Sequence, residues 1–279
     1  MRPWFANEFC AKVTVMRRIE SRSGVLLFLI CASGAAFAQS QNPWDGEYFG
    51  MNAGGSSTKA CGAWTQNGAA STLGGALTVS NRSCAGGNGF LGGVQMGENY
   101  QYGRFLWGLG LDLDVAASDN SLHSVKISNA PPPPGSYVFS GRQSPSDFAV
   151  VGPRLGYAGT LWLPYLQGGA IIAGGSRTSM LSFTPEGATK PSASFAGGKA
   201  FSTVGWAAGG GAEIGFNGPW SISLEYLYVN LGKGSDTTAA CSGSAAACAS
   251  FSGISFDSMH GGFTANIYRI GITYWFSYW

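Results

Sequence analysis

Residues 107–115 read Trp-Gly-Leu-Gly-Leu-Asp-Leu-Asp-Val, an unbroken alternation of large apolar with small or acidic residues. In an extended chain successive side chains point to opposite faces. One face of this segment therefore carries Trp107, Leu109, Leu111, Leu113 and Val115, and the other Gly108, Gly110, Asp112 and Asp114. A helix would smear that division around its circumference, so the segment is constrained to be a strand with one strongly apolar side. The same period recurs at 204–216, where Val204, Trp206, Ala208, Ala212, Ile214 and Phe216 alternate with small residues and Glu213. It returns at 220–228 (Ile222, Leu224, Tyr226 and Tyr228 opposite Ser221, Ser223 and Glu225) and at 269–276 (Ile270, Ile272, Tyr274 and Phe276 opposite Arg269, Gly271 and Thr273). Weaker alternation covers about 45–57, 88–100, 148–158 and 164–173, and no run with helical period stands beside it. The expectation is eight strands.

The connections alternate in length. Short ones fall at about 101–104, 159–163 and 217–219, and long ones at about 58–86, 117–147, 174–200 and 232–262. Four unstructured loops of that length are unusual in a compact water-soluble domain. They are the rule for an antiparallel barrel that crosses an outer membrane, with tight turns on one side and long loops on the other. Aromatic residues gather beside the short turns: Tyr100, Tyr102 and Phe105; Tyr157, Trp162 and Tyr165; Phe216 and Trp220. Trp44, Tyr48 and Phe49 join them at the start of the first strand, and Tyr274 to Trp279 at the end of the last. All are assigned here to one interfacial girdle, which turns the short connections and both termini toward the periplasm.

Composition agrees. Charged residues make up 11% of the 279 and aromatic residues 13%, with 44 glycines, against a usual charged share of about 25%. So few charges beside so many apolar residues exclude a disordered chain, and the scattered, nearly balanced charges exclude a nucleic-acid binder. Residues 1–38 are read as an N-terminal extension and export signal: Met16-Arg17-Arg18 and Arg22 are the basic region, Val25 to Ala32 the apolar core, and Ala36-Phe37-Ala38 the cleavage site before Gln39. Met16 is an alternative start. The apolar core is shorter than the ~20 residues a spanning helix needs. Removing the leader takes five of the 16 basic and two of the 14 acidic residues, so the barrel domain, 39–279, carries a net charge of −1.

Four cysteines remain in that domain, and an even number in an exported chain points to disulfides. Pairing Cys61 with Cys84 and Cys241 with Cys248 keeps each bridge within one connection; unpaired thiols in loops are the alternative. Zinc is a poor reading, because no CxxC occurs and the domain has only His123 and His260.

The alternation also places the charges. Asp112, Asp114, Arg154, Glu213, Glu225 and Arg269 all fall on the small or polar face of their strands. An arginine on the lipid face near the midplane costs about 2–4 kcal/mol. These six are therefore expected to pair as an ion network inside a narrow lumen, with a proton or ion path and acid–base catalysis as the alternatives. Eight strands leave an interior only wide enough for side chains, and the many glycines and alanines on that face suit it.

Several segments resemble a known family. Trp44-Asp45-Gly46-Glu47-Tyr48-Phe49-Gly50-Met51-Asn52-Ala53-Gly54-Gly55 looks like the first strand of small alphaproteobacterial outer-membrane proteins, the Omp25-like or outer-membrane immunogenic proteins within the OmpA-like eight-stranded barrel superfamily. Further pieces follow in the same order: Gly89 to Gln95, Arg154 to Ala158, Gly205-Trp206, Glu225 to Gly232 and Arg269 to Phe276. The last piece also resembles the carboxy-terminal signal read by the barrel-assembly machinery, with Arg269, Gly271, Tyr274 and Phe276 in its places. This chain departs from the pattern by continuing through Ser277 and Tyr278 to a terminal aromatic, Trp279.

The resemblance implies an all-β fold, an eight-stranded up-and-down transmembrane barrel with four long extracellular loops. It implies a surface protein with a structural role in the envelope, in contact with outer-membrane lipids and lipopolysaccharide and with a host or environmental ligand through its loops. It also permits loop-based haem binding. Two histidines without a paired axial motif give haem little support, and no cofactor is expected. Catalysis is not expected either: His123 and His260 fall in loops whose neighbouring Ser and Asp residues are ordinary loop composition. Gly209-Gly210-Gly211-Ala212-Glu213-Ile214-Gly215 superficially suggests a dinucleotide loop, but it sits inside an alternating strand with no helix after it. The alternatives are a small low-conductance pore, since wide channels need about sixteen strands, and a loop-based ligand binder, the more serious rival of the two. The expected state is a monomer in a Gram-negative outer membrane, and, with the chain ending on its last strand, no cell-wall tether is expected.

Overall fold

Two-residue turns set the architecture. Gly103-Arg104 and Gly218-Pro219 each reverse the chain between consecutive strands, with Gly103 at φ 60° and Gly218 at φ 59°, a left-handed conformation that glycine adopts without steric cost. In the computed structural model these turns, together with 158–161, lie at one end of a closed antiparallel barrel. The structure describes residues 43–68, 83–118, 120–127, 135–232, 234–237, 241–249 and 254–276, all in the unit 39–279. The segment expected to be an export signal, 1–38 with Ala36 and Ala38, the Gln39 that follows its expected cleavage site, and the terminal Trp279 lie outside the described residues.

The strands in chain order are β1 (Gly46–Gly68), β2 (Ser83–Tyr102), β3 (Phe105–Ser118), β4 (Asn120–Ile127), β5 (Gly135–Tyr157), β6 (Trp162–Pro185), β7 (Ala193–Asn217), β8 (Trp220–Asn230), β9 (Gly234–Thr237), β10 (Cys241–Gly243) and β11 (Ile254–Trp275), with a short helix α1 (Ala245–Ala249) after β10. Eight of them form the barrel, in the order β1-β2-β3-β5-β6-β7-β8-β11, and β11 pairs back onto β1 to close it. The other three are additions at the far end: β4 continues β3 along β5, β9 lies on β11 and β10 on β7.

Following paired residues around the wall from Ser56 leads through Ile267, Leu227, Gly209, Gln167, Arg154, Gly108 and Asn99 back to β1 at Gly46. The return point is ten residues from the start, so the strands are strongly staggered and tilted, with an interior that side chains can fill.

The alternation read from the sequence becomes an outside and an inside. Trp107, Leu109, Leu113, Val115, Leu166, Ile172, Ile214, Ile222, Leu224, Ile270 and Ile272 face outward and are exposed, as lipid-facing residues of a spanning barrel must be.

Two expectations need correction. The strands run well past the stretches of clear alternation: 174–200, expected as a loop, is mostly the β6–β7 hairpin, whose strands pair out to Phe183 and Ala193. Beyond the apolar band on β6 the outward Ser176 and Thr178 are as polar as the inward Arg177 and Ser179 beside them, so the apolar/polar contrast that marks a strand in sequence lapses there while the ladder continues. The second correction concerns the girdle. Tyr100, Tyr102, Phe105, Tyr157, Trp162, Phe216, Trp220 and Phe276 face outward, but Trp44, Tyr48, Tyr165 and Trp275 are buried inside the barrel. Tyr165 shares the parity of Leu163, a position that faces the lumen, and Trp275 that of Thr273.

The cysteines pair as Cys61–Cys84 and Cys241–Cys248. The first bridge joins register partners of β1 and β2 rather than two loop positions. The second ties β10 to α1.

Candidate functional site

Among the described residues, charged side chains are gathered and buried in the lumen. Reading inward positions along β11 away from the turn end gives Trp275, Thr273, Gly271 and Arg269, then Ile267, Ala265 and Phe263. Reading β3 gives Leu106, then Asp112 and Asp114, then Ala116. The interior is thus layered: an aromatic and apolar layer near the turns (Trp44, Tyr48, Leu106, Leu163, Tyr165 and Trp275), a charged middle, and an apolar layer beyond it.

The first layer closes the turn end. Trp44 Nε1 donates to the Gly159 carbonyl at 2.8 Å, anchoring the chain just before β1 to the β5–β6 turn. Its ring meets that of Trp275 edge-on at 5.5 Å.

The charged middle holds the six residues picked out by parity, in two groups. In the first, Arg154 Nη2 meets Glu213 Oε2 at 2.6 Å. Glu213 Oε1 accepts from Trp275 Nε1 at 3.1 Å and from the Ser221 hydroxyl. The Arg154 guanidinium lies 3.7 Å from the Tyr165 ring centroid and 5.2 Å from that of Tyr48, an arrangement in which the ring faces stabilise the cation. In the second group, Arg269 is the hub. Its Nε donates to Glu225 Oε1 at 2.6 Å, its Nη1 to Asp114 Oδ2 at 2.9 Å and its Nη2 to Asp112 Oδ2 at 2.7 Å. Gln167 Nε2 adds a bond to Asp112 at 3.2 Å.

Tyr165 links the groups: its hydroxyl donates to Glu225 Oε2 at 2.7 Å while its ring carries Arg154. One connected polar line therefore runs from Trp275 through Glu213, Arg154, Tyr165, Glu225 and Arg269 to the two aspartates. It joins β11, β7, β5, β6, β8 and β3 across the barrel, so each strand is held to strands that are not its neighbours. Both arginine side chains are 3% exposed or less.

Burying charges this way costs several kcal/mol per ion in desolvation, offset only when geometry and hydrogen bonds are good. Small residues make the room. A side chain at Gly93 would collide with the Asp114 carboxylate, and one at Gly209 with the Tyr226 carbonyl. Gly209 to Gly211 lie within β7 and are not a phosphate loop. The sequence reading missed Tyr165, Ser221, Gln167 and Trp275 as partners; the signal that could have found them is inward parity within a strand, Trp275 with Arg269 on β11, Ser221 with Glu225 on β8, and Tyr165 and Gln167 with Leu163 on β6.

The remaining residues singled out in the sequence lie on the wall. Gly271 is on β11 two residues from Arg269, and a side chain there would crowd Ser223 Oγ at 2.7 Å. Tyr274 packs edge-on against Trp220 at 5.0 Å and against Phe276 at 5.2 Å.

The profile of the family described as "Outer membrane protein beta-barrel domain" matches residues 24–276. Among solved structures, the outer membrane protease OmpT from Escherichia coli is 8% identical, the match covering 84% of this chain and 97% of that one with a TM-score of 0.43. The outer membrane protein OprG from Pseudomonas aeruginosa is 12% identical over 84% of this chain and 98% of that one, with a TM-score of 0.41. Ail, the attachment invasion locus protein of Yersinia pestis, is 11% identical over 81% and 99%, with a TM-score of 0.25. No curated protein sequence matches the chain.

Proposed function

We propose a function for this chain from one premise: it belongs to the outer membrane protein beta-barrel domain family. On that premise it is a non-enzymatic, monomeric barrel of a Gram-negative outer membrane that contributes to envelope integrity, while its large loops make the surface contacts. Residues 1–38 are its export signal, both termini lie in the periplasm, and the barrel-assembly machinery reads Arg269, Gly271, Tyr274 and Phe276. Its outer wall sits among lipids and lipopolysaccharide. The resemblance of the residues from Trp44 to Gly55 supports grouping it with the Omp25-like proteins.

One observation carries the structural reading. The lumen is filled at mid-height by the Arg154–Glu213 and Arg269–Asp112–Asp114–Glu225 groups, with an aromatic layer on one side and an apolar layer on the other. A water-filled path would require hydrated charges, and these are spent on one another. Loops on a rigid scaffold are where specificity resides in such a protein.

The test pairs two measurements. Purified full-length chain in planar bilayers should give no discrete conductance steps, and a strain lacking it should become more permeable to bile salts and large antibiotics. Regular steps that shift with Arg154→Met would overturn the structural reading in favour of a narrow pore. A mutant envelope indistinguishable from wild type would remove the integrity role.

A further inference from the structure

The outer wall is not alike on all sides. Across β8, β11 and β1 the register sets the outward residues in rows. Away from the turn end these rows read Leu224–Ile270–Ala53, then Tyr226–Tyr268–Gly55, then Tyr228–Asn266–Ser57, and last Asn230–Thr264–Lys59. Aliphatic side chains give way to phenols, phenols to an amide and hydroxyls, and these to the exposed ammonium of Lys59. The rings form one surface: Tyr226 packs against Tyr268 at 5.2 Å, and Trp206 of β7 against Tyr228 at 5.5 Å.

The opposite side ends differently. On β3, β5 and β6 the row Leu113–Ala149–Ile172 is followed at once by Val115–Asp147–Gly174. Among the described residues, no tyrosine or tryptophan faces outward on those three strands away from the turn end, and the apolar band is topped by the exposed carboxylate of Asp147. An aromatic belt that only anchors a barrel at the bilayer surface would run round both sides. This one is confined to β7, β8 and β11, and it is capped by a positive charge where the other side carries a negative one.

The polar groups of this face look outward for partners. The Tyr226 hydroxyl donates to Asn266 Oδ1 at 2.8 Å, so the Asn266 carbonyl is taken and its amide N–H groups are what it offers. Tyr268, 57% exposed, and Tyr228 carry hydroxyls on the same face. Polar groups on a lipid-facing wall cost free energy unless they are paired. The matching amphiphile has acyl chains to lie on Leu224 and Ile270, hydrogen-bonding groups at the roots of those chains, a sugar to rest on the rings, and a phosphate for Lys59.

We propose that the outer wall over β8, β11 and β1 is a binding face for lipid A, the phosphorylated, acylated glucosamine disaccharide that anchors lipopolysaccharide. The proposal rests on the outer-membrane reading above and assigns particular residues to one lipid. A second copy of the chain fits the face less well. A two-fold contact about the membrane normal would set Lys59 of one copy against Lys59 of the other, and like charges so placed repel.

The experiment uses the full-length protein refolded from inclusion bodies into dodecyl maltoside, so that no lipopolysaccharide is carried over. It is titrated with diphosphoryl hexaacyl lipid A, and bound lipid is counted by native mass spectrometry with phosphatidylglycerol as the comparison. Folding of every preparation is read separately, from heat-dependent mobility on a gel, so loss of the barrel is distinguished from loss of the site. The expected result is a single lipid A retained where phosphatidylglycerol is not, with binding about fivefold weaker in Lys59→Gln. Combining Tyr228→Leu, Tyr268→Leu and Asn266→Ala should weaken it about tenfold or more, while Val115→Ala and Ile172→Ala on the opposite side leave it unchanged. Asn266→Ala alone serves where the triple variant fails to fold. Equal retention of the two lipids, or wild-type binding by a folded triple variant, would overturn the site. A Tyr268→Cys disulfide dimer that persists at saturating lipid A would give the face to a second copy and overturn it as well.

Discussion

Arg154 and Glu213 sit on strands that do not adjoin, β5 and β7, yet their side chains meet at 2.6 Å in the closed centre of the barrel. The pair braces the wall across the lumen, and breaking it strands a charge. Removing one partner of a buried pair costs about 3–5 kcal/mol, while replacing both with apolar groups is often neutral or stabilising. Arg154→Met and Glu213→Leu should each lower the urea midpoint in vesicles, and the double variant should recover most of the loss. Additive losses would show that the pair does not act as a unit.

Arg269 serves three carboxylates, so its network is asymmetric. Arg269→Met leaves Asp112, Asp114 and Glu225 together without their cation, whereas Asp114→Asn leaves Arg269 with two carboxylates. The arginine variant should therefore lower the temperature at which the unboiled band converts to the unfolded one much further than Asp114→Asn. Equal shifts would mean the hub is not Arg269.

Gly209 lies where the wall approaches itself too closely for a side chain, and the atom in the way is a backbone carbonyl, that of Tyr226. Backbone cannot give as a flexible side chain does. Gly209→Val should abolish the folded band on an unboiled gel, while Gly55→Ala, where the nearest atom is 3.8 Å away, should leave it intact.

The Cys61–Cys84 bridge fastens the β1–β2 hairpin beyond the lipid-facing band. Such bridges contribute about 2–4 kcal/mol. Cys61→Ser with Cys84→Ser should expose this hairpin to added protease on whole cells, with the membrane-embedded part of the barrel still protected. Unchanged cleavage would leave the bridge without a role in the hairpin's stability.

The strand pattern was legible wherever lipid lies on one side and the lumen on the other, because that contrast imposes a strict period of two, as at Trp107 to Val115. It faded beyond Ile172 on β6, where water replaces lipid and Ser176 or Thr178 can face outward without cost. Parity also marks which charges point inward, but not which meet: Arg269 reaches Asp112 and Asp114 through the closure of β1 on β11 and the stagger of the wall, which no single strand encodes. The inward aromatics escape the pattern for a related reason. An aromatic beside a turn looks the same in sequence whether it rests in an interfacial girdle, as Trp162 does, or plugs the barrel end, as Trp44 and Tyr165 do.

Closure of the barrel by β1 and β11 is the claim on which the lumen and the girdle both depend, and Met51 and Ile272 are register partners across that seam. The direct measurement is an unboiled and boiled gel of outer-membrane fractions carrying Met51→Cys with Ile272→Cys. A closed barrel predicts a disulfide between the two positions in a species that changes mobility on heating. No cross-link, no heat-dependent shift and recovery of the chain from the soluble periplasmic fraction would contradict it.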